Sequence, residues 1–133
     1  MADTLQFELV SPERRLVSMA AERVQIPGME GELTALPNHA PFLTTLRPGI
    51  LRVTAAGEVA EYVVSGGFAE ISPDAVSVLA EQAVPRDEIG PSGFLEDLLA
   101  EAERLREITA PEGQMAADQR VRDVKALQAE LGL

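Results

Sequence analysis

The sequence predicts a mainly β N-terminal sandwich over residues 1–90, followed by a C-terminal antiparallel α-helical hairpin over residues 91–133. Short runs rich in Val, Ile, Leu, Phe and Thr alternate with Gly, Pro, Asn and Asp as far as about Val84. This pattern is typical of an all-β sandwich and indicates about eight to ten short strands. After Gly93 the apolar spacing becomes helical. A chain of 133 residues is long enough for one core and a small appended element.

The first strand is predicted almost at the N-terminus. Leu5, Phe7 and Leu9 alternate with Gln6 and Glu8, which is the period of a strand with one buried face. The other candidate strands are similar apolar runs: Arg15–Val17, Glu22–Ile26, Gly31–Leu36, Phe42–Leu46, Gly49–Thr54, Val59–Ser65, Phe68–Ser72 and Ala75–Glu81. Turn-forming pairs separate these runs, because Pro fixes φ and Gly or Asn tolerates positive φ. The pair Gly66-Gly67 is interpreted as a hairpin turn.

The first helix is predicted from apolar residues at helical spacing: Phe94, Leu95, Leu98, Leu99, Ala102, Leu105 and Ile108. Ser92 is its candidate N-cap. Glu96 and Asp97 near the start, with Arg104 and Arg106 toward the end, complement the helix dipole.

The second helix is predicted from about Gln114 to Leu131, after the segment Thr109-Ala110-Pro111-Glu112-Gly113 ends the first. Its apolar positions form a narrow stripe: Ala117, Val121, Val124, Leu127 and Leu131. Two helices joined by so short a loop fold back as an antiparallel pair. Because neither is long enough to be stable alone in water, the hairpin must pack on the sandwich, on itself or on a partner.

The composition excludes several classes of protein. A formal net charge of −11 argues against nucleic acid, since binding phosphates requires clustered Lys and Arg. The chain has no Cys, so disulfides and thiolate chemistry are absent, and we expect a reducing cytosol. No stretch reaches the roughly 18 apolar residues that a membrane span needs. The start MADTLQFELV lacks a targeting pattern, and we expect any membrane connection to come through a partner.

The inventory of reactive groups predicts a protein without catalytic residues or cofactors of its own. A single His and a single Lys, Lys125, leave little for nucleophilic catalysis or for the usual zinc ligand sets. No phosphate-binding loop or calcium loop is present. Glu30 and Glu32 form the one close carboxylate pair in a suggestive loop, but an acid–base role for them is a remote alternative.

A series of short motifs, in one order, resembles the epsilon subunits of bacterial-type rotary (F-type) ATP synthases. The family pattern is an acidic glycine turn, P-x-H-A-P, a Leu/Thr run, L-x-P-G, S-G-G-F-x-E and V-x-V-L-A. The corresponding segments are Glu30-Gly31-Glu32, Pro37-Asn38-His39-Ala40-Pro41, Phe42-Leu43-Thr44-Thr45-Leu46, Leu46-Arg47-Pro48-Gly49, Ser65-Gly66-Gly67-Phe68-Ala69-Glu70 and Val76-Ser77-Val78-Leu79-Ala80. The resemblance covers the first two thirds of the chain well and becomes looser beyond Pro91.

The resemblance implies a central-stalk (rotor) subunit of the proton-translocating F-type ATP synthase that couples the gamma subunit to the c ring. It implies that Glu30, Gly31 and Glu32 meet the polar loops of the ring, and that His39 contacts gamma. The residue itself permits another interpretation, in which His39 is a hydrogen-bonding residue of a rigid loop. An exposed apolar patch is also expected on one face of the sandwich when partners are absent.

The family's hairpin also regulates ATP hydrolysis by extending into the alpha/beta catalytic head. The resemblance implies this role for Arg120, Arg122 and Lys125, although solvated charges on a helix face would look the same. The family's ATP-binding motif, I/L-D-x-x-R-A, aligns with Leu95-Glu96-Asp97-Leu98-Leu99-Ala100. Leu99 replaces the arginine that grips phosphate, so ATP sensing is not expected.

The resemblance places the protein peripherally at the cytoplasmic face of the bacterial inner membrane. One alternative stays open from the residues alone, a stand-alone β-sandwich sensor of a nucleotide or other ligand with a mobile helical hairpin. Calorimetry with ATP distinguishes the two hypotheses.

Overall fold

A computed structural model of the protein describes residues 4–12, 14–90 and 93–132. Within those residues, ten strands precede two α-helices. The strands are β1 (Leu5–Ser11), β2 (Arg14–Ala21), β3 (Arg23–Gly28), β4 (Gly31–Ala35), β5 (Phe42–Leu46), β6 (Gly49–Ala55), β7 (Glu58–Val64), β8 (Gly67–Ile71), β9 (Ala75–Ala80) and β10 (Ala83–Pro85). The helices are α1 (Phe94–Ile108) and α2 (Gln114–Leu131).

The strands form one curled, sandwich-like sheet in the order β10-β7-β6-β3-β5-β8-β9-β1-β2, with β4 paired to β3 at the side. β1 and β9 pair in parallel, with Phe7 opposite Val76, whereas the neighbouring β1–β2 and β8–β9 ladders are antiparallel. The predicted fold class, a β-sandwich followed by two helices, is confirmed.

The inner face of the sheet encloses the larger hydrophobic core. In β1 the predicted alternation is present, since Leu5, Phe7 and Leu9 are buried while Gln6 is exposed. Sixteen buried residues form this core: Leu5, Phe7, Leu9, Ala21, Val24, Ile26, Ala35, Leu46, Leu51, Val53, Val64, Ala69, Ile71, Val76, Val78 and Ala80. Because side chains alternate along a strand, residues between these core positions, such as Gln6 and Arg52, face the other side of the sheet.

The interpretation of Gly66-Gly67 as a hairpin turn is wrong. β7 and β8 are not neighbours, because β7 lies between β10 and β6 while β8 lies between β5 and β9. The chain crosses here from one part of the curled sheet to another. Gly67 has φ +130 and a Cβ there would lie 2.0 Å from the Leu79 carbonyl oxygen, so only glycine fits. Ser65 is buried just before this crossing, and its hydroxyl accepts a hydrogen bond from the Gln82 amide at 3.0 Å.

The helical unit has its own small core. Leu98 and Ala102 of α1 cluster with Val121 and Val124 of α2, and a 3₁₀ turn at Pro111–Gly113 joins the helices. Gln114 Nε2 donates to the Arg106 carbonyl at 2.8 Å and to the Thr109 carbonyl at 2.6 Å, so α2 begins beside the end of α1. The predicted antiparallel hairpin is therefore present, and its second helix has the predicted bounds.

The first helix is compared with the prediction at two places, its last turns and its N-cap. Leu105 is 38% exposed and Ile108 is 73% exposed, so the apolar stripe of α1 does not stay buried to its end. Both residues lie in the last turns, beyond the Leu98–Ala102 cluster. Ser92, the predicted N-cap, lies outside the described residues. The N-cap position is Gly93 at φ 71, without a side-chain capping bond.

The chain divides into two compact units between Val84 and Pro85, whereas the sequence places the domain boundary after residue 90. The 3₁₀ turn Arg86–Glu88 lies between these two positions. None of the helices in the described part of the chain is long and apolar enough to span a membrane.

Candidate functional site

The acidic glycine turn lies at the tip of the β3–β4 hairpin. Gly28 faces Gly31 across the ladder, and Met29 and Glu30 form the exposed turn between them. Gly31 has φ +136, a region that L side chains rarely adopt. The backbone conformation therefore requires the glycine at position 31, and the carboxylates of Glu30 and Glu32 on either side of it supply the charge at the surface.

The His39 loop is fixed by backbone hydrogen bonds. Asn38 adopts φ 69, which Asn tolerates better than most residues, and its amide donates to the Pro73 carbonyl at 2.6 Å. The His39 amide donates to the Leu36 carbonyl at 3.1 Å, and its ring Nδ1 lies 2.8 Å from the Ala40 carbonyl oxygen. Since a carbonyl oxygen only accepts, Nδ1 is the protonated nitrogen in this contact and Nε2 points elsewhere.

The turn and the loop meet at one open pocket of about 320 Å³. It is lined by Glu30, Gly31, Glu32, Leu33, His39, Phe42 and Thr44. The fold thus brings together four residues that the sequence predicted as partner-binding, from segments that are seven residues apart at their nearest. A pocket with two carboxylates and an imidazole suits polar or basic side chains of a partner.

Arg52, which forms an ion pair with Glu32 of this pocket, was not predicted by sequence reasoning. Its Nε donates to Glu61 Oε2 at 2.8 Å, and its Nη1 lies 3.5 Å from Glu32 Oε1. A signal for the first contact exists in the sequence. If Ala56-Gly57 is a two-residue hairpin turn, Arg52 and Glu61 are equally far from it and must face each other, as they do in the β6–β7 ladder. The reach from Arg52 to Glu32 has no such local signal.

An apolar groove of about 460 Å³ lies beside the β3–β4 turn. Its floor is a row of facing residues on adjacent strands, with Thr45 opposite Phe68, Phe68 opposite Leu79 and Leu79 opposite Val10. Phe68 is 52% exposed and Leu79 is 51% exposed, and Met29 of the turn completes the groove. This is the kind of exposed apolar patch that the sequence led us to expect on one face of the sandwich.

The predicted basic residues of α2 do not share one face. Arg120 and Arg122 are about 200° apart around a helix of 3.6 residues per turn, and Arg120 is half-buried whereas Arg122 and Lys125 are exposed. Arg122 Nη2 donates to Gln119 Oε1 at 2.9 Å. Arg122 and Lys125 are about 60° apart on the helix, so at most this pair forms a common basic surface.

The described residues contain no cluster of three or more His, Cys, Asp or Glu side chains that could hold a metal ion. Glu32 forms an ion pair with Arg52. This pairing makes the environments of Glu30 and Glu32 different and does not favour the remote hypothesis that the two act together as an acid–base pair. The geometry of both the pocket and the groove favours protein recognition.

The chain is similar to proteins of one family. A family model described as "ATP synthase, Delta/Epsilon chain, beta-sandwich domain" matches residues 4–86. The "ATP synthase epsilon chain" of Rhodobacter capsulatus is 50% identical over 133 residues, covering 100% of each chain. That of Paracoccus denitrificans is 45% identical over 139 positions, covering 100% of this chain and 94% of the relative.

Solved structures give the same likeness. A chain in the Euglena gracilis mitochondrial ATP synthase structure "OSCP/F1/c-ring in rotational state 1" matches with a TM-score of 0.72 and 27% identity, covering 96% of this chain and 81% of that one. A chain in the "central stalk/cring" structure of the Tetrahymena thermophila mitochondrial enzyme matches with a TM-score of 0.67. At 16% identity, with 93% and 96% of the two chains covered, the second likeness supports the fold alone.

Proposed function

Because this chain belongs to the ATP synthase delta/epsilon chain family, we propose that it is the non-catalytic central-stalk subunit coupling the gamma subunit to the c ring of a proton-translocating F-type ATP synthase. The observation that carries the proposal is the similarity to epsilon chains over the full length of both proteins. ATP is made elsewhere in such a complex. This subunit contributes the connection through which rotation is transmitted.

The sandwich is suited to transmitting torque. Its core draws residues from most of the strands of one curled sheet, and such interiors are close-packed and deform little. A domain of this kind turns with its partners as one body, so that rotation of the ring reaches gamma without being absorbed as bending. The mechanism therefore depends on two separate contacts, one toward each partner.

We assign the contact with the ring to Glu30, Gly31 and Glu32, and the contact with gamma to His39. The pocket that these residues share supports the assignment, because it puts two carboxylates and an imidazole at the surface in a fixed geometry. The apolar groove beside the turn supports a permanent association, since exposed patches of this kind are covered in stable assemblies. A subunit held between two partners needs both kinds of surface.

The hairpin supplies the second part of the proposal, a brake on ATP hydrolysis. Its core is small, and units with few buried contacts open at low free-energy cost. Arg122 and Lys125 form the basic surface that would meet acidic positions of the catalytic head, and Arg120 contributes only if α2 rotates. We place the subunit peripherally at the cytoplasmic face of the inner membrane, attached through the complex.

Binding to gamma tests the function directly. Full-length chain mixed with the cognate gamma subunit is expected to elute as a stable complex in size-exclusion chromatography. His39→Glu is expected to weaken this complex about tenfold or more, because it buries an added charge against a partner. Val59→Glu adds the same charge at an exposed position of β7 and is expected to bind normally. If the wild-type chain fails to bind gamma, the proposed function is wrong.

A further inference from the structure

Arg52 connects three strands through its side chain. On β6 it faces Glu61 of β7, which its Nε contacts at 2.8 Å. On its other side it faces Gln25 of β3, and its guanidinium extends past β3 to Glu32 of β4. The side chains of Arg52 and Glu61 are each 25% exposed, whereas that of Glu32 is 48% exposed, so the Arg52–Glu61 pair is the more sheltered of the two.

The strand at the end of this connection, β4, pairs along its length with a single strand of the described sheet, β3. β4 lies off the main path of the sheet and pairs with β3. It also supplies Gly31, Glu32 and Leu33 to the pocket. An edge strand with one partner opens more easily than a strand between two neighbours. The Arg52–Glu32 ion pair is a second interaction that holds β4. It involves β6, which is not the strand that β4 pairs with.

We propose that Arg52 is a positioning residue for the partner-binding turn: by pairing with Glu32 it fixes the β3–β4 hairpin so that Glu30 and His39 are presented together. This inference rests on the proposed function, in which that turn meets the rotor. It divides the roles of the two carboxylates. Glu32 pairs with Arg52 while 48% of its side chain stays exposed, and Glu30 lies at the exposed tip.

The chemistry requires arginine at this position. The guanidinium is planar and offers donors in a fork, so one side chain can contact Glu61 through Nε and Glu32 through Nη1 at the same time. A lysine ammonium is a point charge on a flexible stem and contacts both carboxylates less well. Glu61 contacts the guanidinium at Nε, and the Nη1 of the same group lies 3.5 Å from Glu32 Oε1.

The test compares full-length wild-type chain with Arg52→Gln, Arg52→Lys and the control Arg23→Gln. Arg23 is an exposed arginine on β3, so the control removes the same charge from the neighbouring strand. The first readout is amide hydrogen exchange in β4, measured by NMR on the chain alone. Arg52→Gln is expected to speed exchange at residues 32–34 about two- to fivefold, the range that a partly exposed ion pair supports. Arg52→Lys is expected to fall between Arg52→Gln and wild type.

The second readout is affinity for a complex of gamma and the c ring. Arg52→Gln is expected to lose affinity by about the same factor, while Arg23→Gln keeps wild-type exchange and affinity. If Arg52→Gln and Arg23→Gln are indistinguishable in both readouts, Arg52 does not position the turn. Should Arg52→Gln fail to fold, Glu32→Gln removes the same tie and leaves the Arg52–Glu61 pair, and unchanged β4 exchange in that variant overturns the proposal.

The two proposals fail in different ways. If the wild-type chain does not bind the gamma and c-ring complex, the proposed function is wrong, whereas the exchange data still decide whether Arg52 ties β4. If wild type binds and the Arg52 variants bind equally well, the function stands and the positioning role is rejected.

Discussion

The sandwich and the hairpin are built from the same kinds of residue but differ in how many strands or helices hold each one together. Among the described residues, sixteen buried residues from nine of the strands form the core of the sandwich, so displacing one strand disturbs contacts with several others. Four buried residues from two helices form the cluster of the hairpin. Its last apolar residues on α1, Leu105 and Ile108, are exposed.

This difference separates two mechanical tasks. A unit whose core is shared by most of its strands resists deformation, which suits transmission of rotation. A unit with a small core can be opened by a partner that offers comparable contacts. The proposed coupling therefore belongs to the sandwich and the proposed brake to the hairpin, and variants in each unit should separate the two.

The largest effect is expected for Phe7→Ala in the sandwich. Phe7 is fully buried in β1, and replacing a buried Phe by Ala costs about 3–5 kcal/mol of unfolding free energy. Urea denaturation followed by circular dichroism measures this loss. Val59→Ala, at an exposed position, is expected to stay within about 0.5 kcal/mol of wild type. Equal losses for the two variants would contradict the assignment of the core.

A smaller effect is expected for Leu98→Ala in the hairpin. Leu98 is buried in the cluster between the helices, and we expect about 2–3 kcal/mol, the lower part of the range for Leu→Ala, because a small cluster can collapse around the gap. The matched control is Leu105→Ala on the same helix, with an expected loss below about 1 kcal/mol. Amide hydrogen exchange of the helix amides measures both variants. If Leu105→Ala lost as much stability as Leu98→Ala, the apolar stripe of α1 would contribute to packing along its whole length, as the sequence predicted.

Glycine substitutions separate the stability of the sandwich from its binding to partners. Gly31 and Gly57 both have positive φ, and a Cβ at either would meet nothing within 4 Å. Alanine at each is therefore expected to cost about 1–2 kcal/mol of backbone strain. Gly31→Ala should also weaken binding to the gamma and c-ring complex, because it distorts the turn that we propose meets the ring, whereas Gly57→Ala should bind normally. Titration of the complex with each variant checks this, and equal affinities would remove the turn from the interface.

The smallest effect is expected for single charges on the hairpin. Arg122→Gln is expected to raise ATP hydrolysis by the assembled complex less than about twofold, since one exposed ion pair contributes little. Arg104→Gln removes the same charge from α1 and is expected to leave hydrolysis unchanged. Steady-state ATPase assays of the reconstituted complex compare the two. If Arg104→Gln raised ATP hydrolysis more than Arg122→Gln, the basic contact with the catalytic head would lie on α1 and not on α2.

Most of the secondary structure follows from local pattern. The period-two alternation of β1 and the helical spacing after Gly93 are properties of neighbouring residues, and the bounds of α2 match those predicted from the sequence. The path of the chain between strands is a different matter. Gly66-Gly67 has the composition of a hairpin turn, but whether β7 pairs with β8 depends on contacts with β5, β6, β9 and β10.

The site divides in the same way. The sequence gathers Glu30, Gly31, Glu32 and His39 in one short region, so their shared pocket could be anticipated. The part played by Arg52 could not, because a side chain reaching from β6 past β3 depends on three strands lying side by side. Leu105 and Ile108 fit the helical spacing, but their exposure depends on which side chains pack against them, which the spacing alone does not give.

The proposed division of roles, coupling by the sandwich and regulation by the hairpin, is tested by removing the hairpin. We would measure binding and ATP hydrolysis with a synthase complex reconstituted from full-length chain, and from a chain ending at Gly90. We expect both chains to bind gamma and the c ring equally well and only the full-length chain to lower ATP hydrolysis. If the shorter chain kept the folded sheet but failed to bind, coupling would not belong to the sandwich alone.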